Sequence, residues 1–385
     1  MTHHRRRRLA YLDSMFPWRR SGFRYHEAEA ILDRLPETMF FSEWELTDPF
    51  PVPVYPLAEF PQLALRAGIT DVYGVFLQFL AGLCGLHPSG DSPPHVIEAP
   101  DLWRFLRRAR IRVHGSIYPG GGFTNDDHGI AQARALAKRL TTTFSHVPEI
   151  IEAIPQVTAM PGAWTETRFY AYTRDRWEHL RPLACLFAAD APPRKGIDVV
   201  LRAFAALDPS DFHLHVVGPH QHRRAELPAE LATFHGWCSP EELRRLHRRT
   251  HIFLSPVSIE PPGPPGSFQG VIDGFPTQAA RDAMSSGCLL VSANPQADHR
   301  VLLPGVHYVD CAPDGEMLRT SLRELVAETQ RMRSIACAGS QRARECFDVR
   351  KGVAEKLWHM GLLEGSEVSR TGGTDHGRPA VPATN

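Results

Sequence analysis

The chain has 385 residues, which at about 100–200 residues per domain makes two domains and excludes a single small module. Hydrophobic residues make up 43% and charged residues 22%, the balance of a folded chain and not of a disordered one. Lys+Arg is 43 and Asp+Glu is 43, so no global field recruits nucleic acid or anionic lipid, and an anionic ligand needs a local site.

The basic start MTHHRRRRLAYLDSMF opens like a signal peptide. Asp13 interrupts its apolar stretch and no small-residue cleavage site follows, so it reads as a mature cytoplasmic N-terminus. A strand over Leu9–Met15, the loop FPWRRSGF, a helix over Arg24–Leu35 and a strand in TMFFSEW form the first unit. The most apolar run, VYGVFLQFLAGLCGL (Val72 to Leu86), is shorter than the ~20 residues of a membrane crossing and reads as a buried helix. HVIEAP, the basic helix DLWRFLRRAR, the strand IRVHGSIY, the helix GIAQARALAKRL, the strand TTTFS, the helix VPEIIEAI and the strand QVTAMPG follow. Strand and helix alternate, which favours a parallel sheet covered on both faces.

The second half repeats the alternation through LACLFAA, IDVVLRAFAAL, FHLHVVG, PEELRRLHRR, IFLSPV, TQAARDAMSS, CLLVSAN and VHYVD. A helical region from about Asp314 to Leu363 follows. The expected class is therefore α/β, with two Rossmann-like doubly wound domains facing a cleft. Their boundary is placed in the polar stretch around Ala171–Pro182, giving domains 1–175 and 176–363, and the Gly/Pro/Thr-rich segment 364–385 reads as a disordered tail. Seven scattered cysteines lack a CxxC pair or a His partner at ligand spacing, so they read as free thiols of a reducing compartment, and no metal site is expected.

The strongest local signal is DGFPTQAARDAMSSGCLLV, beginning at Asp273. A glycine permits close backbone approach, and a helix starting at Pro276-Thr277 offers free N–H groups and a dipole to an anion such as a diphosphate. Asp282 falls in the second turn of that helix and Gly287 ends it before a buried strand. An ordinary helix-to-strand connection with a surface carboxylate fits the same spacing.

This segment resembles the acidic-GFP…acidic-AMxxG segment of GT-B glycosyltransferases, most closely those of retaining family 4. The resemblance implies that Asp273 lies near the anomeric centre of a donor sugar. It places Gly274, Phe275, Pro276 and Thr277 around the distal phosphate, and Asp282 on the ribose hydroxyls. Both acids are Asp where the family usually has Glu, and they stand nine positions apart instead of eight. PPRKGIDVVLRAFAAL is similar to the segment whose Lys-Gly binds the donor diphosphate, which assigns Lys195 that role with Arg194 beside it; the family's further Arg is replaced within FAAD. FHLHVVGPH resembles the base-contacting turn, at Gly218, and FHGWCSPEEL the FxGxVxxEEL segment after it. IRVHGSIY resembles the strand whose His touches the donor sugar, making His114 the candidate; a satisfied histidine capping a loop is the other reading. FPWRRSGFRYHE, with Ser21 and Gly22, stands where the family has its first glycine loop. YPGGGFTNDDH reads as a mobile loop without chemistry or as one that closes over the acceptor, and the insertion IEPPGPPGSFQGV as a segment that shapes or covers the donor mouth.

The resemblance implies a glycosyltransferase of hexosyltransferase type, metal-independent and retaining, with no cofactor beyond its nucleotide-diphosphate sugar co-substrate. The acceptor is a glycan or small-molecule hydroxyl. No nucleic-acid partner and no transmembrane segment are expected, and the RRRR run leaves room for peripheral membrane contact. The altered acids and the missing Arg keep open a degenerate GT-B protein that binds nucleotide or glycan without turnover. An epimerase or phosphorylase on the same fold is the third reading.

Overall fold

The computed structural model describes residues 7–20, 22–44, 48–86, 100–119, 123–124, 126–161, 164–173, 175–178, 181–190, 192–259 and 273–364. Ser21, the glycines 120–122, most of HVIEAP, residues 260–271 of the insertion and residues 365–385 of the tail lie outside these.

The first half runs β1 (Leu9–Met15), α1 (Gly22–Arg34), β2 (Met39–Trp44), β3 (Val54–Pro56), α2 (Phe60–Ala67), β4 (Asp71–Val75) and α3 (Leu77–Leu83). It continues α4 (Pro100–Arg108), β5 (Arg112–Ile117), α5 (Asp127–Ala137), β6 (Thr142–Ser145), α6 (Pro148–Ala153) and β7 (Val157–Ala159). The seven strands form one sheet in the order β3-β2-β1-β4-β5-β6-β7, and every pairing is parallel. β1 is buried almost throughout because helices cover both faces.

The second half runs β8 (Leu183–Ala188), α7 (Ile197–Phe204), β9 (Phe212–Val217), β10 (Ala232–Gly236), α8 (Pro240–Arg249), β11 (Ile252–Ser255), α9 (Gln278–Ser285), β12 (Leu289–Ser292) and β13 (Val309–Asp310). These strands form a second all-parallel sheet in the order β10-β9-β8-β11-β12-β13. Three helices follow, α10 (Gly315–Ala327), α11 (Thr329–Cys346) and α12 (Val349–His359). The two sheets, each with interleaved helices, are the α/β architecture expected.

Local chemistry fixes the helix starts. Ser239 and Glu242 form a capping box on α8, and Asp126, Asp314 and Asp348 accept backbone N–H groups at the starts of α5, α10 and α12. The run Val72 to Leu86 is not one buried helix, as expected, but the central strand β4 followed by α3. The chain turns at Phe76, whose φ is 74°. The helical region from Asp314 is three helices, and the last of them leaves the second sheet. Val349, Val353 and Leu357 of α12 pack with Tyr25, Ala28 and Ile31 of α1 in one apolar cluster. Beneath them the ammonium of Lys356 is buried against the Glu27 carboxylate and donates to the Tyr73 hydroxyl at 2.8 Å.

The chain therefore passes between the sheets twice, and the two passages are hydrogen-bonded to each other. Thr165 N–H donates to the Phe347 carbonyl at 2.8 Å, and Val349 N–H donates to the Thr165 carbonyl at 3.0 Å.

Candidate functional site

A cleft of about 260 Å³ opens between the carboxyl ends of the two sheets, the place where open α/β sheets bind ligands. The second sheet supplies the ends of β8 and β9, through Phe187–Asp190 and Val217–Gly218. The first supplies Arg19 and Arg20 from the turn after β1 and Gly22 from the start of α1. Two glycines let the turns approach. Gly218 has φ of 125° and an added Cβ would lie 2.0 Å from the Ala189 carbonyl oxygen. Gly196 has φ of 85° and a Cβ there would lie 2.3 Å from the Pro256 oxygen, so the Arg194-Lys195 turn is pressed against β11's following loop.

Three charged side chains predicted apart in sequence meet here. Lys195 Nζ donates to Asp273 Oδ1 at 2.7 Å and Arg194 Nε donates to Oδ2 at 3.2 Å. Asp273 thus closes both cations in this structure. Beside them α9 begins. Thr277 caps it by accepting from Ala280 N–H, and Thr277, Gln278 and Ala279 line the cleft at the positive end of the helix dipole. Phe275 and Pro276 are buried in the preceding turn, with the Phe275 ring 4.9 Å from that of Tyr308.

Asp282 lies on the cleft face of α9. Its Oδ1 accepts from Thr165 Oγ1 and Gln278 Nε2, each at 2.9 Å. Burial raises its carboxyl to about 7, against the opposing pull of the Thr165 bond, His26, Gln278 and Arg281. Because Thr165 belongs to the paired passages between the sheets, the floor of the cleft is tied directly to those passages.

Gly274 is one of the places where the second half touches the first. A Cβ there would lie 2.8 Å from His146 Nε2 and 2.9 Å from Pro119 Cγ. His146 follows the carboxyl end of β6. Burial holds it well below the usual imidazole range, with Arg281, Arg300 and Lys356 adding to the effect, so the ring is neutral. Its Nδ1 has no hydrogen-bond partner among the described residues. Across the mouth of the cleft, Arg19 Nη2 pairs with Glu241 Oε1 at 2.5 Å and the Arg20 guanidinium lies 5.4 Å from the Trp237 ring centroid.

Gly22, Lys195, Gly218, Thr277 and Asp282 line the cleft. Arg194, Asp273, Gly274, Phe275 and Pro276 form its adjoining turn. His114 is not among the residues that line the cleft. It stands near the amino end of β5, three residues before the strand's last residue Ile117, and is 1% exposed with Nε2 3.0 Å from Asp71 Oδ1. Asp71 also receives Arg7 and Arg112. Its burial is outweighed by the His114, Arg7 and Thr70 hydrogen bonds, which hold the carboxyl well below its usual range. His114 is therefore a core histidine held by Asp71 through Nε2, with its Nδ1 buried and unpartnered among the described residues. The sequence reading missed His146, Arg20, Trp237 and the Thr165–Asp282 bond. For His146 and Trp237 the available signal was a polar or aromatic residue just past a parallel strand. Among the described residues no group of three or more His, Cys, Asp or Glu side chains is placed to hold a metal ion, and no helix is long and apolar enough to cross a membrane.

Two doubly wound parallel sheets facing one cleft define the GT-B architecture. Residues 182–328 match the model of the family described as Glycosyl transferases group 1. No curated protein sequence matches the chain. Among solved structures, HepE of Anabaena in complex with UDP is similar with a TM-score of 0.67 at 14% identity, covering 92% of this chain and 100% of that one. Sucrose-phosphate synthase from Thermosynechococcus elongatus gives 0.66 at 12% identity, covering 92% and 99%. A glycosyltransferase from Rickettsia africae gives 0.64 at 10% identity, covering 94% and 100%. These likenesses establish the fold.

Proposed function

We propose that the chain is a group 1 glycosyltransferase of hexosyltransferase type that moves a sugar from a nucleoside-diphosphate donor to a hydroxyl acceptor, with retention and without a metal. The observation that carries this reading is the convergence of Arg194, Lys195, the start of α9 and Asp282 on one cleft between the sheets. The match over residues 182–328 supports it, as does the fold likeness to HepE, whose structures hold UDP and UDP-glucose.

In this reading the diphosphate takes Arg194 and Lys195 from Asp273 and lies on the first N–H groups of α9. The bond from the anomeric carbon to the diphosphate oxygen breaks, the electron pair leaving with the nucleotide, whose charge the two cations and the helix start stabilise. The acceptor oxygen bonds to the anomeric carbon on the same face, its proton passing to the departing diphosphate. Asp273, released from its cations, then stands at the anomeric centre. The Asp282 carboxylate accepts from the ribose hydroxyls. His146, beside Gly274, takes the sugar-facing place first read for His114. The protein works in the cytoplasm, and the ledger of charges needs no divalent cation.

A thermal-shift panel of UDP, GDP, ADP, CDP and dTDP in EDTA, on wild type and Asp282→Ala, tests the site. Ligand at ~100 times its Kd adds about 2.7 kcal/mol to wild type. One nucleotide stabilising wild type more than the variant supports the reading, and no shift with any of them at millimolar concentration sinks it. The second reading, binding without turnover, is favoured by the closure of both cations on Asp273 in this structure. Release of nucleoside diphosphate from the matching sugar donor excludes it.

A further inference from the structure

Of the exposed large apolar side chains among the described residues, only Trp237 lines the cleft. It is 52% exposed and follows the carboxyl end of β10, the edge strand beside β9. Lys195 lies in the turn after β8, and β10 stands two strands from β8 across β9, so Trp237 and the cations sit past different strand ends of the same cleft. A ligand with its phosphates on Lys195 and α9 and its ribose on Asp282 extends its base toward that edge. There the cleft wall is apolar, through Val217 and Leu243, beside the half-exposed indole. The first half of the chain reaches the indole through a cation. Arg20, itself exposed, holds its guanidinium 5.4 Å from the indole centroid, next to the Arg19–Glu241 ion pair.

We infer that Trp237 and Arg20 form a two-sided stacking clamp for the base of the nucleotide donor, an inference that rests on the donor site proposed above. An indole face and a guanidinium plane are the two surfaces on which flat heteroaromatic rings stack. A base between them needs two contacts of about 3.5 Å, so the present 5.4 Å opens by roughly 1.5 Å on binding. Because the two jaws belong to different sheets, occupation by a base fixes their spacing. The phosphate cradle, lying wholly in the second half, does not contribute to this. Gly218 and the strand ends recognise edges of the base; the clamp recognises its faces and works for any base that fits between them.

Calorimetric titration separates the clamp from the cradle. Wild type, Trp237→Ala, Trp237→Phe and Arg20→Ala are each titrated with the nucleoside diphosphate that wild type binds best and with inorganic pyrophosphate, which has no base. The clamp predicts that Trp237→Ala raises the nucleotide Kd about 10- to 100-fold and that Trp237→Phe recovers most of the loss. Arg20→Ala raises it about 3- to 10-fold. Pyrophosphate affinity stays within about 2-fold of wild type in all three. Unchanged nucleotide affinity in Trp237→Ala, or an equal loss for pyrophosphate, overturns the clamp and leaves the donor site standing. If wild type binds pyrophosphate but no nucleoside diphosphate, the clamp falls and the anion cradle survives. If it binds neither, the donor site falls and the clamp with it.

Discussion

Replacing Asp282 with Asn isolates the cost of burying a carboxylate on the cleft floor. The native carboxyl sits at about 7, whereas an ordinary aspartate loses its proton near 3.9. Between those values the native state keeps a proton that the unfolded chain has released, so stability falls as pH rises. Above the native value the full cost is present. About 3 pH units at 1.36 kcal/mol each gives about 4 kcal/mol, an upper figure for the wild type at pH 8. Asn does not titrate, and its side-chain oxygen keeps the Thr165 and Gln278 hydrogen bonds that Oδ1 accepts at 2.9 Å. The variant is therefore expected to match wild type near pH 4 and to exceed it increasingly up to pH 8. Urea unfolding of both proteins in half-unit steps from pH 4.5 to 8.5 measures the difference directly. Parallel pH profiles would refute the reasoning. The same substitution is expected to weaken nucleotide binding and to flatten a wild-type affinity that rises through pH 7, because only the ionised carboxylate accepts from two ribose hydroxyls.

Lys195→Ala removes a cation from the diphosphate and is expected to lower nucleotide affinity about 10- to 100-fold with little change in Tm, read by calorimetry and thermal melting. Gly218→Ala forces a Cβ to 2.0 Å from the Ala189 oxygen at a φ of 125°. A loss of about 1–3 kcal/mol in denaturant unfolding is expected, together with weaker nucleotide binding. Lys356→Met leaves Glu27 buried without its partner and is expected to cost about 3–5 kcal/mol, whereas the double variant with Glu27→Gln recovers much of the loss; chemical denaturation of the three proteins checks both.

The alternating strand and helix pattern made both sheets legible, because most strands are short apolar runs and five helices, α5, α8, α9, α10 and α12, begin at a residue whose side chain caps them. Where the reading failed, the missing information was long-range. β4 and α3 are apolar on every side, and a central parallel strand buried on both faces has no period that separates it from a buried helix. β3 has only three residues, and β10 interleaves Thr233 and His235, so neither reads as an apolar run. In the candidate site, Asp273, Lys195 and Asp282 were found through local motifs, but their arrangement was not. Nothing in the sequence says that Asp273 closes the Arg194 and Lys195 cations, or that Thr165, 117 positions away, donates to Asp282. The bond between His114 and Asp71 was hidden for the same reason. Asp71 lies 43 positions earlier, and the strand runs three residues beyond the histidine instead of stopping at it.

The return of α12 onto α1 sets an order of events during synthesis. The first sheet leaves the ribosome with Glu27 lacking its ammonium and with Tyr25, Ala28 and Ile31 uncovered, and it stays so while the whole second sheet is being made. Only when Val349 to His359 emerge is that surface sealed. The two halves therefore mature together, not one after the other. A nascent chain stalled before residue 349 presents a sticky, acid-bearing patch that its own last helix is built to cover.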